Sequence, residues 1–352
     1  MEHTNRIIVY GAAGHTGRFV IAELKRRGFS PVRAGRDPVK LDQVGSAFLG
    51  LEKRIAQTTD PAALDRAFSD AEIVINCAGP FIDTAPAIIE AAFRRRAHYL
   101  DIAAEQAAVH HAFETFDSAA RSAGIVVAPA NGFYGGLGDL LATFAMGDWS
   151  VVDEISIAVA LDSWHPTKGT RLTGERNPGK RYHFTNGKLE RRDSFPPRSW
   201  EFPAPFGHQD VESLALSEAI LIPHHLRTRE VRFYLNSRPL SDLQDPNTPE
   251  PMPADDSGRS SQIFIIEAAV RRNGRERRVS ASGRDIYAIT APIVAEAAER
   301  LITEKPQITG VRAIGELFDA RAFLDALSPE PLFVQGDGIA SAEYRGTSQR
   351  HI

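Results

Sequence analysis

Apolar positions over the first 130 residues fall in short runs separated by amphipathic stretches, the alternation expected of a parallel sheet with crossover helices. Ile7–Tyr10 is such a run, followed by a cluster of glycines and an amphipathic stretch over Gly17–Arg27. Lys25, Arg26 and Arg27 in its last turn complement the helix dipole, and Gly28 supplies a stop. Pro31–Ala34 predicts a second strand and Arg54–Gln57 a third. Asp60 and Pro61 then give a cap and first-turn residue for a helix over 61–68. A strand at Glu72–Asn76, a helix over 84–96, a strand at Tyr99–Ile102, a helix over Ala104–Ala123 and a strand at Ile125–Ala128 complete the series. Six strands in this order predict an α/β fold, a Rossmann doubly wound parallel sheet over residues 1–130.

Beyond Asn131 the period shortens. Glu154–Leu161, Glu230–Leu235, Gln262–Arg271 and Arg277–Ser282 read as longer strands without intervening helices, and Asn273-Gly274 is a two-residue hairpin turn. Ten of the 22 prolines lie between 196 and 253, so residues 238–260 read as an irregular excursion. A helical period resumes over Ile286–Ile302, and residues 335–352 form a polar, glycine-rich tail. The expected organisation is therefore discontinuous: a dinucleotide domain over 1–130, an inserted substrate domain over 131–283, and a helical part over 284–334 that returns to the first domain.

Composition narrows the function classes. The chain has 352 residues, a formal net charge of -4 and a single cysteine, Cys77. Mild acidity argues against a nucleic-acid partner, which needs a basic face. One cysteine permits no internal disulfide, and the N-terminal residues run into the first strand without a secretory h-region; the expected location is the cytoplasm. No apolar stretch approaches the ~20 residues of a membrane-spanning helix. The histidine pairs His110-His111 and His224-His225 are adjacent, so one member of each points away from any shared metal, and no metal site is expected.

Between the first strand and its helix stands Gly11-Ala12-Ala13-Gly14-His15-Thr16-Gly17, a GxxGxxG spacing. In that context Gly11 makes the sharp turn, Gly14 lets backbone approach a pyrophosphate, and Gly17 lets the helix pack on the sheet. Ala13, His15 and Thr16 lie in the same turn. The second strand ends Ala34-Gly35-Arg36-Asp37. Arg36 offers a planar fork for a 2′-phosphate, which favours NADP(H); Asp37 could instead accept from a ribose hydroxyl, which keeps NAD(H) open. At the end of the fourth strand, Ala78 and Gly79 are small enough to let a nicotinamide ribose pass. Cys77 has no neighbouring base in sequence and reads as a small buried residue rather than a nucleophile.

Five blocks, GAAGHTGRFV, AGRDPVKL, VINCAGPF, HYLDIAAEQ and NGFYGGLGDLLA, together with GRDIYAITA at 283–291 and the later VRAIGELFD, resemble the saccharopine dehydrogenase-like NAD(P)-binding oxidoreductases, including trans-acting enoyl reductase-like members. The resemblance implies that Gly11, Gly14 and Gly17 serve the pyrophosphate, Arg36 the 2′-phosphate, and Asn76 to Pro80 a nicotinamide-side loop. It also implies a middle domain on a mixed, largely antiparallel sheet, and homodimers through that sheet. Ala104 replaces a family glycine and Asn131 a family cysteine.

Hydride transfer to a carbonyl or imine needs a proton donor near the reacting heteroatom. Asp101 and Tyr134 follow the fifth and sixth strands and are expected to project into the cleft. Asp101 could hold a nitrogen or act as an acid, or could cap the next helix; Tyr134 could donate to a carbonyl oxygen, or could stack on the nicotinamide. Glu105 reads as a first-turn acid on its helix. None of the seven tyrosines has a lysine four residues later, which excludes short-chain dehydrogenase chemistry. These readings converge on an oxidoreductase moving hydride between NADP(H) and a small soluble substrate, an amino-acid-derived imine, a carbonyl or an enoyl compound. Two others remain open: a non-catalytic dinucleotide sensor, and an enzyme without net redox resembling homospermidine synthase.

Overall fold

The computed structural model describes residues 6–176, 181–192 and 194–336. Strand and helix alternate first: β1 (Ile7–Tyr10), α1 (His15–Arg26), β2 (Val32–Gly35), α2 (Pro38–Ala47), β3 (Lys53–Ile55), α3 (Pro61–Ala67), β4 (Ile73–Asn76), α4 (Phe81–Arg95), β5 (His98–Asp101), α5 (Gln106–Ala123) and β6 (Val126–Ala128). Next come α6 (Gly136–Met146), β7 (Val152–Leu161), α7 (Lys168–Arg176), β8 (Tyr182–Thr185), β9 (Lys188–Arg191), β10 (Arg198–Glu201), β11 (His208–Leu214), α8 (Glu218–His225), β12 (Thr228–Asn236) and α9 (Ser237–Gln244). The chain continues through β13 (Ile263–Arg272), β14 (Arg275–Arg284), α10 (Thr290–Thr303), β15 (Gly310–Val311), α11 (Ile314–Leu317), α12 (Ala320–Leu327) and β16 (Phe333–Gly336).

The first sheet runs β15-β6-β5-β4-β1-β2-β3, all parallel. Six strands were expected; the seventh, β15, arrives from the far end of the chain. Because order reverses between β1 and β4, a crevice opens at the carboxyl ends of these strands, where doubly wound sheets bind ligands. The second sheet follows β10-β11-β12-β7-β13-β14-β16, with β8 and β9 attached at β12. Only β12 and β7 pair parallel; the remaining ladders are antiparallel. The β13–β14 hairpin turns at Asn273-Gly274, both at positive φ, as that dipeptide allows.

Three differences from the sequence pattern have physical causes. The middle region carries helices that its strands seemed to exclude: α6 buries nine of its eleven residues, so it shows no amphipathic stripe, and α7 buries none. The excursion after 238 begins with α9 and is otherwise free of strand and helix up to residue 262. Residues 335 and 336 belong to β16, an edge strand on β14, while the rest of the polar tail, 337–352, lies outside the described residues.

The two sheets share one core. Val20, Ile21 and Leu24 of α1, Ile293, Val294 and Ala297 of α10, and Phe264 and Ile266 of β13 are all buried in it. Arg27 ties the helices at their rim through Glu296 and Glu299, at 2.5 and 2.7 Å. No helix among the described residues is long and apolar enough to cross a membrane.

Candidate functional site

A cleft of about 1560 Å³ runs from the glycine turn after β1, past the ends of β2 and β4, to the turn after β6 and the second sheet. Single small-molecule pockets occupy roughly 300–1,000 Å³, so this one has room for a dinucleotide and a second molecule.

Its nucleotide end is set by backbone. Gly11 lies at φ 83°, and a Cβ there would stand 2.8 Å from the Ala78 amide nitrogen. The Gly14 amide donates to the Gly11 carbonyl at 2.9 Å, and a Cβ on Gly14 would approach that oxygen at 3.1 Å. Gly14 is also the N-cap of α1, with no side chain closing the helix end, so its first-turn N–H groups and positive dipole face the cleft. Ala13, His15 and Thr16 line the same wall. Gly17 does not: a Cβ there would sit 2.3 Å from the Gly11 carbonyl oxygen, so its part is to seat α1 against the turn.

At the end of β2, Arg36 is exposed on the cleft wall without a protein partner among the described residues. Asp37 is committed elsewhere: as N-cap of α2 its Oδ1 accepts from the Val39 and Lys40 amides at 3.0 and 3.1 Å. The arginine is left for an anion while the ribose acceptor typical of NAD sites is engaged.

Past β4, Cys77, Ala78 and Gly79 line the cleft, but Asn76 and Pro80, expected beside them, do not. Asn76 is wholly buried; its Oδ1 accepts from the Ala78 amide at 3.0 Å and its Nδ2 donates to the Tyr99 hydroxyl at 3.1 Å. Pro80 is the N-cap residue of α4. Burial pushes the Cys77 thiol far up, with the Asp101 charge adding to it, which keeps it a thiol.

Asp101 requires a correction. Expected in the cleft, its side chain is buried between strands and lines no part of the cavity. The Tyr99 hydroxyl donates to its Oδ2 at 2.8 Å, and the Ala103 and Ala130 amides donate to its Oδ1 at 3.0 and 2.7 Å. With Asn76 and Tyr99 it forms a closed network across the ends of β4, β5 and β6. Burial raises its carboxyl while the two amides pull it down. It is a brace for the loops, not a group aimed at substrate.

Glu105 is likewise not a first-turn acid of α5. It lines the cleft from the N-cap position of α5, and its carboxylate accepts from the Phe81 and Ile82 amides at 3.1 and 3.0 Å, capping α4.

Tyr134 does reach the cleft. Its ring packs on Phe133, Trp164 and Phe233, with centroids 4.9, 5.5 and 5.9 Å away, and its buried hydroxyl meets no protein partner. Burial holds its phenol well above the ordinary value. Beside Trp164 on the cleft wall lies a group the sequence did not single out. Tyr287 Oη accepts from Trp164 Nε1 at 3.0 Å and shares a hydrogen bond with the Thr170 hydroxyl at 3.0 Å. The His15 ring meets the Tyr287 ring edge-on at 5.4 Å. The available signal was the GRDIYAITA block, which contains Tyr287.

The histidine pairs diverge. His110 stacks on Tyr182 and His224 on Phe113, at 5.3 and 3.7 Å, whereas His225 bonds Asp139 at 2.7 Å. No cluster of three or more potential metal ligands occurs among the described residues.

A crevice at the switch point of a parallel sheet, a glycine turn closing on an uncapped helix, and an arginine after β2 define a Rossmann nucleotide-binding protein with an NADP-type site. The comparisons make this particular. Residues 7–128 match the family described as saccharopine dehydrogenase NADP binding domain, in accord with NADP(H) as the favoured cofactor. The chain is 30% identical over 145 residues to a saccharopine dehydrogenase-like oxidoreductase of Bos taurus, covering 36% of this chain and 34% of that protein. It is 26% identical over 175 residues to a probable mitochondrial saccharopine dehydrogenase-like oxidoreductase of Arabidopsis thaliana, covering 45% and 38%. A lipid droplet localized protein of Caenorhabditis elegans is 29% identical over 139 residues, covering 36% and 33%. The matched part thus spans about a third of the length of these relatives. Among solved structures, apo saccharopine dehydrogenase (L-Glu forming) from Saccharomyces cerevisiae superposes with a TM-score of 0.64 at 12% identity, covering 94% of this chain and 99% of that one. That likeness establishes the fold of both sheets.

Proposed function

We propose that the protein is an NADP(H)-dependent oxidoreductase that moves hydride between the nicotinamide and a carbonyl, imine or enoyl group of a small substrate. What carries the reading is the continuity of one cleft from the glycine turn and Arg36 to Tyr134. The residues fit the dinucleotide: the glycines draw the turn tight against β4 and α1, α1 offers free amides, and Arg36 has no competing partner. NADPH, when bound, supplies the hydride.

The chain's own residues do the rest. Gly14 and the first turn of α1 receive the pyrophosphate, and Arg36 the 2′-phosphate. Ala78, pinned by Asn76, and Gly79 pass the nicotinamide toward the second sheet. Tyr134, in an aromatic wall that sheds water, donates the proton that a carbonyl oxygen needs as hydride arrives at carbon. Asp101 and Glu105 hold the loops and helix that shape this end. The resemblance adds a homodimer through the second sheet, which light scattering tests by mass.

The decisive assay is consumption of NADPH by the purified chain in a metabolite extract, with products identified by mass. Turnover supports an enzyme. Tight NADPH binding without any product would favour a sensor.

A further inference from the structure

Three hydroxyls meet where the second domain closes on the cleft. Tyr287 Oη lies 3.0 Å from Thr170 Oγ1, which lies 3.0 Å from Thr167 Oγ1. Three N–H groups donate into the same cluster. Trp164 Nε1 and the Thr167 amide donate to Tyr287 Oη at 3.0 and 3.4 Å, and the Thr170 amide donates to Thr167 Oγ1 at 3.1 Å. A hydroxyl has one hydrogen to give and room to accept two. Three hydroxyl hydrogens share two contacts, so one of them finds no acceptor among the described residues. The surroundings select it. Both acceptor places on Tyr287 Oη are taken, so its hydrogen goes to Thr170. Thr167 is buried and Thr170 partly exposed, so the Thr167 hydrogen also turns to Thr170. Thr170 Oγ1 is then filled, and its own hydrogen is left for the cleft that Thr170 lines.

Thr170 stands midway along that cleft. Toward the glycine turn, His15, the first residue of α1, meets the Tyr287 ring at 5.4 Å. Toward the second sheet, the Tyr134 ring lies 5.5 Å from that of Trp164. Across the cleft runs the loop after β4: a Cβ on Gly79 would lie 3.4 Å from Thr173 Oγ1, and Thr173 shares a helix face with Thr170, three residues before it. None of the nine residues of α7 is buried, so polar ties hold it in place. Arg171 reaches the Asp245 and Thr248 carbonyls at 3.1 and 2.8 Å, and Arg176 pairs with Asp83 of α4 at 2.9 Å.

We propose that Thr170 is a cofactor-binding residue contributed by the second domain, its hydroxyl donating to an oxygen of the nicotinamide nucleoside half of NADP(H). The inference rests on the reading of the cleft as a dinucleotide site. The matched NADP-binding domain ends at residue 128, so α7 adds its contact from outside that domain. The chemistry divides along the ligand. The pyrophosphate and 2′-phosphate are anions and call for the helix amides and Arg36. The nicotinamide nucleoside carries ribose hydroxyls and a carboxamide oxygen, neutral acceptors that suit a neutral donor. A hydroxyl that already accepts two hydrogen bonds is polarised into a better donor, which is what Tyr287 and Thr167 do for Thr170.

Calorimetric titration of the full chain with two probes tests this: NADPH, and adenosine 2′,5′-bisphosphate, which keeps the 2′-phosphate but lacks the nicotinamide half. Thr170→Val should weaken NADPH about three- to tenfold, the worth of one neutral hydrogen bond, and leave the bisphosphate unchanged. Thr170→Ser, which keeps the hydroxyl, should bind NADPH as the native chain does. Unchanged NADPH affinity in Thr170→Val, equal losses for both probes, or a serine variant as weak as the valine one overturns the assignment. The dinucleotide reading survives each of those results, because the native chain still binds both probes. A native chain that binds neither overturns that reading and the assignment with it. Should Thr170→Val fail to fold, hydrogen exchange in the native chain carries the test. Exchange of the α7 amides slowed by NADPH and not by the bisphosphate supports the contact; slowing by both alike, or by neither, overturns it.

Discussion

Arg36 and Asp37 are neighbours with opposite charges, and side-chain commitment separates their roles. Asp37 spends its oxygen on the first turn of α2, whereas Arg36 stands unpaired on the cleft wall. Arg36→Ala should therefore weaken NADPH by roughly ten- to a hundredfold, the worth of a charge-assisted hydrogen bond, and NADH hardly at all. Fluorescence titration with each dinucleotide checks it; equal losses would contradict the assignment. Gly17→Ala has a different cost. Its methyl would meet the Gly11 carbonyl at 2.3 Å, so helix and turn must part, at about 1–3 kcal/mol in a denaturation curve. Both residues were legible in the sequence because their role follows from position in a strand-turn-helix unit. Asp101 was legible only in part. Its place at the end of β5 follows from the strand pattern, but its aim depends on Tyr99, Ala103 and Ala130, which only the fold brings to it.

At the scale of elements, α4 shows how a helix can be capped from afar. Its own N-cap, Pro80, has no side-chain acceptor, and Glu105 from the next crossover supplies both oxygens. Glu105→Ala should cost about 1 kcal/mol or more, since two amides each lose an acceptor, seen as a lower midpoint in chemical denaturation. An unchanged midpoint would mean that solvent caps the helix as well. The β1–β6 series was readable because most of its strands are short apolar runs and each crossover has a polar face; the exception is β3, Lys-Arg-Ile at the sheet edge. The second domain was readable in its strands and not in its helices. α6 is buried on nearly all sides and α7 on none, so neither presents the one-sided stripe on which sequence reading depends. Glu218, a buried carboxyl bonded to the Gly135 amide, was unreadable for a related reason: only the packing of α8 under the turn after β6 gives it that partner.

The whole molecule joins two sheets through one core, with α10 and β15 carrying the end of the chain back to the first. Buried carboxyls within that body make stability depend on pH. Glu218 holds its proton to about 7 when folded but only to about 4.5 when unfolded, so its contribution is complete below about 4.5 and lost as pH rises through about 7. That loss is on the order of a few kcal/mol, and Glu218→Gln should flatten it. Urea midpoints measured across this range decide the point; a native chain equally stable throughout would contradict the burial of a protonated Glu218. The central claim, that this body transfers hydride, is tested most directly by isotope. The purified chain is incubated in a metabolite extract with NADPH deuterated at both C4 positions. Deuterium should appear on carbon in a product, and that label should fall sharply with Tyr134→Phe while NADPH affinity is retained. Tight NADPH binding with no deuterium in any product would contradict it.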